Sequence, residues 1–481
     1  MKSATNLKYT LRQFYYYANT LFFYGMCATG VNALAESTDY YWRGGSTWDD
    51  KLLRVGNVAN WKADAKGNIP HSTVPSETSD LIFDVANMKI NGNPDYARVN
   101  WYVAYTSYPS IKTVNSVTAY VPLEIHITSS ISLLGDWHST VSSDSKYTPS
   151  SSSSDIGAKK SMRLVADTAN FLTVGGDMTL ETDKYFNSKF RLGSSSTAPS
   201  AYTLAVKGSL NFVKNGADTV GYHTFDMSAY DTTTGTSFSM DLGGLSSSGG
   251  GVYMTSAKDL SVNINFISNG GVFKDGDFEG VFATESGVSS NLSINMSGDG
   301  SQSMTIYKAS NASLYGFGND LDGKTDMAIN SVEVSNGELV LDSELSVGDV
   351  RLLGGALKLS APKVGTIFID GDGGKLIYGG AIVAGELSVY DASSVDVVFS
   401  AGDLKNMEIT IFEFDNLTDE FNANSVFSAY GESGEELGGE FSLIGEVGGP
   451  GSLIYTVPEA AELASIFGLV ALLFAVSRRR K

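Results

Sequence analysis

The sequence predicts an all-β fold, a right-handed parallel β-helix (a solenoid), with a signal helix at its N-terminus and a short transmembrane helix at its C-terminus. Three observations predict it: many glycines, short runs of alternating apolar and polar residues, and apolar patterns that recur at fixed spacing. The chain contains 52 glycines but only 10 prolines. Such a composition favours short strands joined by tight turns.

Internal repeats indicate how these strands are arranged. The apolar pattern of residues 172–180 recurs 32 residues later in 204–212, and that of 332–341 recurs 18 residues later in 350–359. Shorter copies begin at Gly374 and Gly385. Units of this size cannot form a core alone and must stack on their neighbours.

We therefore expect one turn of the β-helix per roughly 18–32 residues, the spacing that stacked repeat units show. The side chains expected to point inward at equivalent positions are Leu339, Leu341, Leu357 and Leu359. A pair of β-sandwich domains built from hairpins would also explain the alternating runs. A structure in which these leucines lie on solvent faces, or on hairpins of two packed sheets, would contradict the β-helix.

The pattern divides the chain into six segments. They are a signal peptide (1–35), an N-terminal β region with a Trp-rich cap (36–138), a Ser-rich flexible loop (139–160), the β-solenoid repeats (161–404), a C-terminal β cap (405–456) and a C-terminal sorting segment (457–481). The Ser-rich segment has no apolar period, which is typical of a surface excursion. The last β unit is acidic, as expected where a solenoid needs a polar outer end.

The first 35 residues have the three parts of a secretory signal peptide. Their positive charges come from Lys2, Lys8 and Arg12. An apolar stretch follows over 14–31, and Ala33 and Ala35 supply the small residues that signal peptidase recognises. We expect export through the Sec translocon and cleavage after Ala35, with an uncleaved membrane anchor as the alternative.

The C-terminal segment combines an apolar stretch with a basic end. Leu463 to Val476 spans roughly 21 Å as a helix, less than the about 30 Å of a hydrocarbon core. The basic residues that follow are Arg478, Arg479, Arg480 and Lys481. They are expected to stay in the cytoplasm, because Lys and Arg cross a membrane poorly. A plain tail anchor is one interpretation.

Three residues before this helix suggest a more specific interpretation. Val457, Pro458 and Glu459, followed by a short apolar helix and a terminal Arg cluster, resemble the PEP-CTERM sorting signal. This chain has Ala460 where the family has its second proline. The resemblance implies a Gram-negative bacterium in which exosortase, a membrane enzyme, cuts near the motif. It also implies transient anchoring in the inner membrane and a final place at the cell envelope, the outer surface or the extracellular matrix.

Aromatic residues cluster near the predicted mature N-terminus. Tyr40 to Trp48 contains two tryptophans around a Gly-Gly pair, and Asn60-Trp61 follows. This arrangement resembles the opening of autotransporter-like β-helical proteins that carry a PEP-CTERM tail. The tryptophans form either a sugar-stacking platform or an aromatic plug, and the plug is favoured because an open solenoid end must be covered.

Charge and cysteine content exclude several classes of function. The formal net charge is −20, and residues 401–460 contain 12 acidic side chains against one base, Lys405. Such a surface repels phosphates, so we expect no nucleic-acid partner. Cys27 is the one cysteine of the chain and lies in the signal segment, which excludes disulfides and thiolate chemistry from the exported part.

Acidic turns are the remaining candidates for chemistry. Asp320, Asp322 and Asp326 loosely resemble a calcium loop but lack its terminal Glu. Asp-Gly pairs such as those in 275–277 and 370–372 are turn sequences first. The four histidines, His71, His126, His138 and His223, have no metal-ligand or triad spacing. We expect no cofactor, with calcium the one candidate ion.

Two hypotheses about function follow. The first is a non-catalytic, surface-displayed structural or adhesin-like protein, sorted by exosortase and associated with extracellular polysaccharide. The second is a β-helical polysaccharide-degrading enzyme, a lyase or glycoside hydrolase, which needs carboxylates and bases brought together on one sheet. The sequence shows no such cluster at matching positions of adjacent turns, so we favour the first.

Overall fold

The computed structural model describes the following parts of the chain. They are residues 37–43, 55–83, 97–101, 111–120, 123–127, 130–141, 161–166, 170–183, 188–193, 201–215, 223–226, 236–248, 252–256, 259–268, 275–315, 321, 323–390, 393–405 and 407–458. The predicted signal peptide, with Ala33 and Ala35, and residues 459–481 lie outside the described residues.

Most of the described residues form strands. In chain order these are β1 (Thr38–Trp42), β2 (Trp61–Lys62), β3 (Ser79–Phe83), β4 (Ala97–Trp101), β5 (Thr113–Val114), β6 (Ser116–Ala119), β7 (Leu123–Ile127), β8 (Ile131–Leu133), β9 (Trp137–Val141), β10 (Ser161–Ala166), β11 (Asn170–Val174), β12 (Met178–Asp183), β13 (Ser188–Gly193), β14 (Ala201–Asn215), β15 (His223–Asp226), β16 (Thr236–Ser248) and β17 (Val252–Ser256).

The second half of the chain continues in the same way. Its strands are β18 (Leu260–Phe266), β19 (Gly276–Glu285), β20 (Asn291–Met296), β21 (Ser301–Tyr307), β22 (Lys324–Asp326), β23 (Ala328–Val334), β24 (Glu338–Ser343), β25 (Val347–Leu352), β26 (Ala356–Ser360), β27 (Val364–Ile369), β28 (Asp372–Ile377), β29 (Ile382–Val389), β30 (Ser394–Phe399), β31 (Glu408–Leu417), β32 (Phe427–Gly431), β33 (Glu440–Ile444) and β34 (Gly451–Thr456). Short helices lie at Val58–Asn60, Ala309–Tyr315, Asp403–Lys405 and Ala423–Val426. The predicted all-β class is confirmed.

The strands form two large sheets. Within the described residues the second sheet has 14 strands, β4, β7, β10, β13, β15, β17, β19, β21, β22, β24, β26, β28, β30 and β32, and the other 20 strands form the first sheet. From β23 to β32 the chain alternates between the sheets, and strands two apart pair in parallel. Antiparallel pairs in the described part are β1–β2, β19–β22, β31–β34 and β33–β34, with two isolated bridges. Hairpins of a β-sandwich do not account for this pairing.

Side-chain alternation explains why these segments are strands. In β18, Leu260, Val262, Ile264 and Phe266 are buried while the polar residues between them are half-exposed. Successive side chains of a strand point to opposite faces, so an alternating sequence buries one face and hydrates the other.

The repeats found in the sequence are in register in the structure. Leu339 pairs with Leu357 and Leu341 with Leu359, and all four leucines are buried. The 32-residue repeat is also confirmed, because Leu172 lies opposite Leu204 in the parallel pair β11–β14. Gly374 and Gly385, in contrast, lie in different sheets, β28 and β29.

Glycine is required where turns stack most closely. Gly337 and Gly355 both have positive φ, 63° and 64°, which L side chains rarely adopt. The amide of Ala356 donates to the Gly337 carbonyl at 2.7 Å, so the two turns lie directly on one another. A Cβ at Gly355 would collide with that same carbonyl.

The N-terminal tryptophans that the structure describes belong to the core. Trp42 is 1% exposed and Trp61 is 0% exposed, and their rings meet edge to face at 4.9 Å. The Trp61 indole N–H donates to the Val55 carbonyl at 2.7 Å. These two rings form a buried aromatic cluster and not a sugar platform, as the plug interpretation expected, while Trp48 lies outside the described residues.

The structure describes only the first three residues of the predicted Ser-rich loop. Strand β9 continues to Val141, three residues into the 139–160 segment, and residues 142–160 lie outside the described residues. On either side of this segment the same sheets continue, since β9 pairs with β12 and β7 with β10. One hydrophobic core extends from Tyr40 to Val457.

A buried glutamine of β21 bonds to β16 past the strand that lies between them, β19. These three strands are called layers below. Gln302 is fully buried, and its amide accepts from the Leu245 N–H at 2.9 Å and donates to the Leu245 carbonyl at 2.8 Å. Gly276 lies between the two residues, and a Cβ there would collide with both partners. A glycine in the middle layer therefore lets the amide reach two layers away.

Replacing Gln302 by Ala tests this connection. The substitution leaves a buried N–H and a buried carbonyl of Leu245 without partners, so we expect a loss of about 1–3 kcal/mol in the free energy of unfolding. Urea denaturation of the purified chain measures it. Thr305→Ala, on the outer face of the same strand, is the control and should stay within about 0.5 kcal/mol of the parent. Equal stability of the two variants would contradict the role given to Gln302.

Tyr455 occupies the centre of the C-terminal β cap. Its ring stacks on Phe399 at 4.9 Å and packs against Phe441 at 5.0 Å, and its hydroxyl donates to the Gly438 carbonyl. Burial raises the pKa of Tyr455 from 10.0 to about 12. The folded cap therefore favours the neutral phenol over the phenolate.

This pKa predicts a loss of stability in alkali. A folded-state pKa above the unfolded value means that the contribution of Tyr455 is complete below pH 10 and is lost as the pH rises toward about 12. Chemical denaturation between pH 8 and pH 12 should show this fall in the parent and a smaller fall in Tyr455→Phe. Tyr120→Phe, at an exposed tyrosine, should behave like the parent. An unchanged slope in Tyr455→Phe would be inconsistent with this assignment.

Candidate functional site

One row of outward-facing side chains crosses seven adjacent strands of the first sheet. Each of β16, β18, β20, β23, β25, β27 and β29 contributes one residue to this outer row. In order they are Asp241, Asn265, Asn295, Glu333, Arg351, Phe368 and Ser388. Neighbouring strands lie about 4.8 Å apart, so the row repeats at that spacing.

The first half of the outer row is a hydrogen-bonded ladder. Asn265 Nδ2 donates to Asp241 Oδ1 at 2.8 Å, and Asn295 Nδ2 donates to Asn265 Oδ1 at 2.7 Å. In the neighbouring row, Ser331 Oγ donates to Ser293 Oγ at 2.9 Å. These bonds fix the polar groups in place on a regular surface, which limits the entropy lost when a ligand binds there.

The second half of the outer row opens into a groove of about 480 Å³. The groove is lined by side chains in the last residues of parallel strands and by side chains just after those strands. Those that bear on its chemistry are Arg351, Phe368, Asp370, Ser388, Tyr390, Asp419 and Glu420. Parallel strands end at the same edge of a sheet, so residues just after β27, β29 and β31 converge here.

Aromatic rings and charges share this groove. The Arg351 guanidinium lies over the Phe368 ring, with Cζ 5.0 Å from the ring centroid, an arrangement favoured by the negative face of the ring. Tyr390 is 64% exposed. Three carboxylates, from Asp370, Asp419 and Glu420, line the groove together with one guanidinium, which makes the groove negative.

The sequence predicts a turn at Asp370, and no motif in it marks the other groove residues. Asp370 does follow a strand end, but it also borders the groove. Arg351, Phe368 and Ser388 are 17 and 20 residues apart, and no local motif connects them. Their alignment follows from strand register, which the 18-residue repeat indicated only for the buried positions.

The calcium candidate is described only in part. Asp326 Oδ1 accepts from the Ala309 N–H at 2.6 Å and so holds the start of the Ala309–Tyr315 helix. Asp320 and Asp322 lie outside the described residues. Within the part of the chain that the structure describes, no three His, Cys, Asp or Glu side chains converge to hold a metal ion.

His138 has contacts that its sequence spacing did not reveal. Its Nε2 lies 2.7 Å from Glu181 Oε2 and 2.9 Å from Thr140 Oγ1, and Thr140 also donates to Glu181 at 3.0 Å. A catalytic triad uses the two ring nitrogens separately, one for the carboxylate and one for the nucleophile. Here both contacts involve Nε2, so the arrangement ties β9 to β12 and does not prepare Thr140 for attack.

The first two residues of the predicted sorting motif belong to the folded part of the chain. Strand β34 runs to Thr456, and the Val457 N–H donates to the Met407 carbonyl at 2.9 Å. Val457 is 8% exposed and Pro458 is also buried. Both residues thus pack against the segment predicted as the C-terminal β cap, 405–456.

The remaining sorting residues are not described. Glu459 and the basic residues Arg478, Arg479, Arg480 and Lys481 lie outside the described residues. Among the residues that are described, no helix has the length and apolar character needed to cross a membrane. The predicted transmembrane helix over Leu463 to Val476 stays a prediction, because it falls in the undescribed segment.

Comparison of the chain with protein-family models, with curated proteins and with solved structures gave no match.

Removal of divalent cations tests the interpretation of the acidic turns. Because Asp326 is engaged by a backbone N–H and acidic turns are expected to be structural, the melting temperature of the purified chain should change by less than about 2 °C on addition of EDTA. Differential scanning calorimetry measures it, with added magnesium and calcium as matched controls. A fall of more than about 5 °C that calcium restores would establish a structural calcium site instead.

Proposed function

We propose that this chain is an exported, non-catalytic structural or adhesin-like protein of the bacterial cell surface. In this proposal its β part is a right-handed parallel β-helix, exosortase sorts it through its C-terminal segment, and it associates with extracellular polysaccharide. Its partners during export are the Sec translocon and signal peptidase.

The strand pairing supports the β-helix. From β23 to β32 the chain passes from one sheet to the other and back, and each return adds a parallel strand beside the previous one. Parallel strands need a crossover between them, and here the strand in the opposite sheet supplies it. Right-handed crossovers are the rule for parallel connections within one sheet.

The end of the β part supports display at a membrane surface. Pro458 is buried against the cap, and the apolar stretch begins at Leu463, only a few residues later. A helix in that stretch would hold the acidic cap close to the membrane. The 12 acidic residues of 401–460 then disfavour adsorption to an anionic bilayer and keep the β part in the aqueous phase.

The groove is the observation that best supports association with polysaccharide. Rings, a guanidinium, carboxylates and a hydroxyl converge there in an open cavity, which is a common chemistry of ligand sites. The same carboxylates favour the second candidate function, a polysaccharide-degrading enzyme. Release of new reducing ends or unsaturated ends from a bound glycan would support that enzyme and contradict the non-catalytic proposal.

Intact-mass analysis of the surface form tests the sorting proposal. In a host that has exosortase, the exported chain should begin at Glu36 and should lack the apolar stretch and the basic residues. Replacing all four basic residues of 478–481 by Ala should reduce retention in the membrane and processing by exosortase, because no basic end then holds the helix across the bilayer. Tyr120→Ala is a control at an exposed residue. A surface form that still ends at Lys481 would show a plain tail anchor.

Two truncations separate release from unfolding in the same experiment. Deletion of 459–481 should release a folded chain into the medium. Deletion of 457–481 also removes the buried Val457 and its hydrogen bond to Met407, and should lower the free energy of unfolding by about 1–3 kcal/mol. Retention of the shorter deletion in the membrane fraction would count against the anchoring role of the tail.

A further inference from the structure

We infer that the groove and the outer row together bind an uncharged glycan chain, which lies across the strands with its anchoring end in the groove. The inference rests on the proposed association with polysaccharide. It goes further by naming the binding site, the charge class of the ligand and the direction in which the ligand runs.

The aromatic side chains supply the anchoring contact. Tyr390 follows β29 and is 64% exposed, and Phe368 lies in the same groove beneath the Arg351 guanidinium. Aromatic side chains offer a large apolar face at a small conformational cost, and the C–H face of a pyranose ring packs well on such a face. The guanidinium holds the Phe368 ring in a fixed orientation.

The polar groups of the groove match hydroxyls. Carboxylates accept hydrogen bonds from hydroxyl groups, and a guanidinium donates to their oxygens. Asp370, Asp419 and Glu420 outnumber Arg351, so the groove is negative and the chain as a whole carries −20. A polyanionic glycan is repelled by both the local and the overall charge.

The outer row extends this site away from the groove. Asn265 and Asn295 each place an amide at the next strand along the row, and the ladder bonds use one N–H of each amide. An amide nitrogen carries two N–H groups, so each of these amides has a second donor besides the one in the ladder. A glycan running across the strands meets a donor or acceptor about every 4.8 Å.

The position of the groove within the sheet favours a glycan over a peptide strand. An extended peptide binds by adding to a free sheet edge, where backbone donors and acceptors are unpaired. The strands under the groove, β27 and β29, are paired on both sides, β27 with β25 and β29, and β29 with β27 and β31. These two strands therefore offer side chains to a ligand and no free strand edge.

Affinity electrophoresis of the purified exported chain tests the inference. The probes are an uncharged β-glucan, anionic polygalacturonate and cationic chitosan, cast into gels at equal mass concentration. We expect retardation by the β-glucan and none by polygalacturonate. Retardation by chitosan alone, or by polygalacturonate more than by β-glucan, would overturn the charge class, and retardation by no glycan would overturn the site.

Variants place the binding in the groove. Phe368→Ala and Tyr390→Ala should each raise the dissociation constant for the β-glucan about tenfold or more, whereas Tyr120→Ala should leave it unchanged. Tyr390→Phe keeps the ring and should retain binding, and circular dichroism shows whether each variant is folded. If the alanine variants are folded and bind as tightly as the parent, the groove is not the site.

A charge variant tests the basis of selectivity. Asp419→Asn combined with Glu420→Gln removes two negative charges and should bring binding of polygalacturonate to within about tenfold of the β-glucan at low salt. No gain would overturn the electrostatic explanation. These assays use purified chain, so their failure is distinct from failure of the sorting proposal, which intact mass and cell fractionation measure.

Discussion

The fold depends on one constraint: each strand must keep its apolar side chains in register with those of the parallel strand beside it. A shift of one residue would move a whole set of side chains from the core to the solvent. Stacked glycine turns hold this register, as where Ala356 bonds to the carbonyl of Gly337. Buried leucine pairs such as Leu339 and Leu357 are one result of it.

The same register creates the outer surface. If the inward side chains of two neighbouring strands are aligned, the outward side chains that alternate with them along each strand must be aligned as well. Arg351 therefore comes to lie beside Phe368 for the same reason that Val350 lies beside Ile367. Packing of the buried side chains sets the register of the strands. That register then determines which residues are neighbours in the outer row, whatever their type.

This difference explains what could be predicted from the sequence. Buried positions accept few residue types, so the repeats 172–180 and 204–212 were recognisable and pair as expected. Outward positions accept almost any residue, so Phe368 and Tyr390 gave no periodic signal. The neighbours of Val457 resemble a sorting motif, and its own burial places its side chain in the core. A motif resemblance gives no information about burial, so the packing of Val457 could not be predicted from it.

The Gln302 amide has a consequence for how the molecule unfolds. Repeat architectures are commonly described by the stability of each unit plus a coupling between adjacent units. The bond from Gln302 to Leu245 passes over the layer that contains Gly276, so it couples units that are not adjacent. Fraying that starts at either end would slow at this point, because three layers must separate together. One buried side chain thus extends the coupling beyond nearest neighbours.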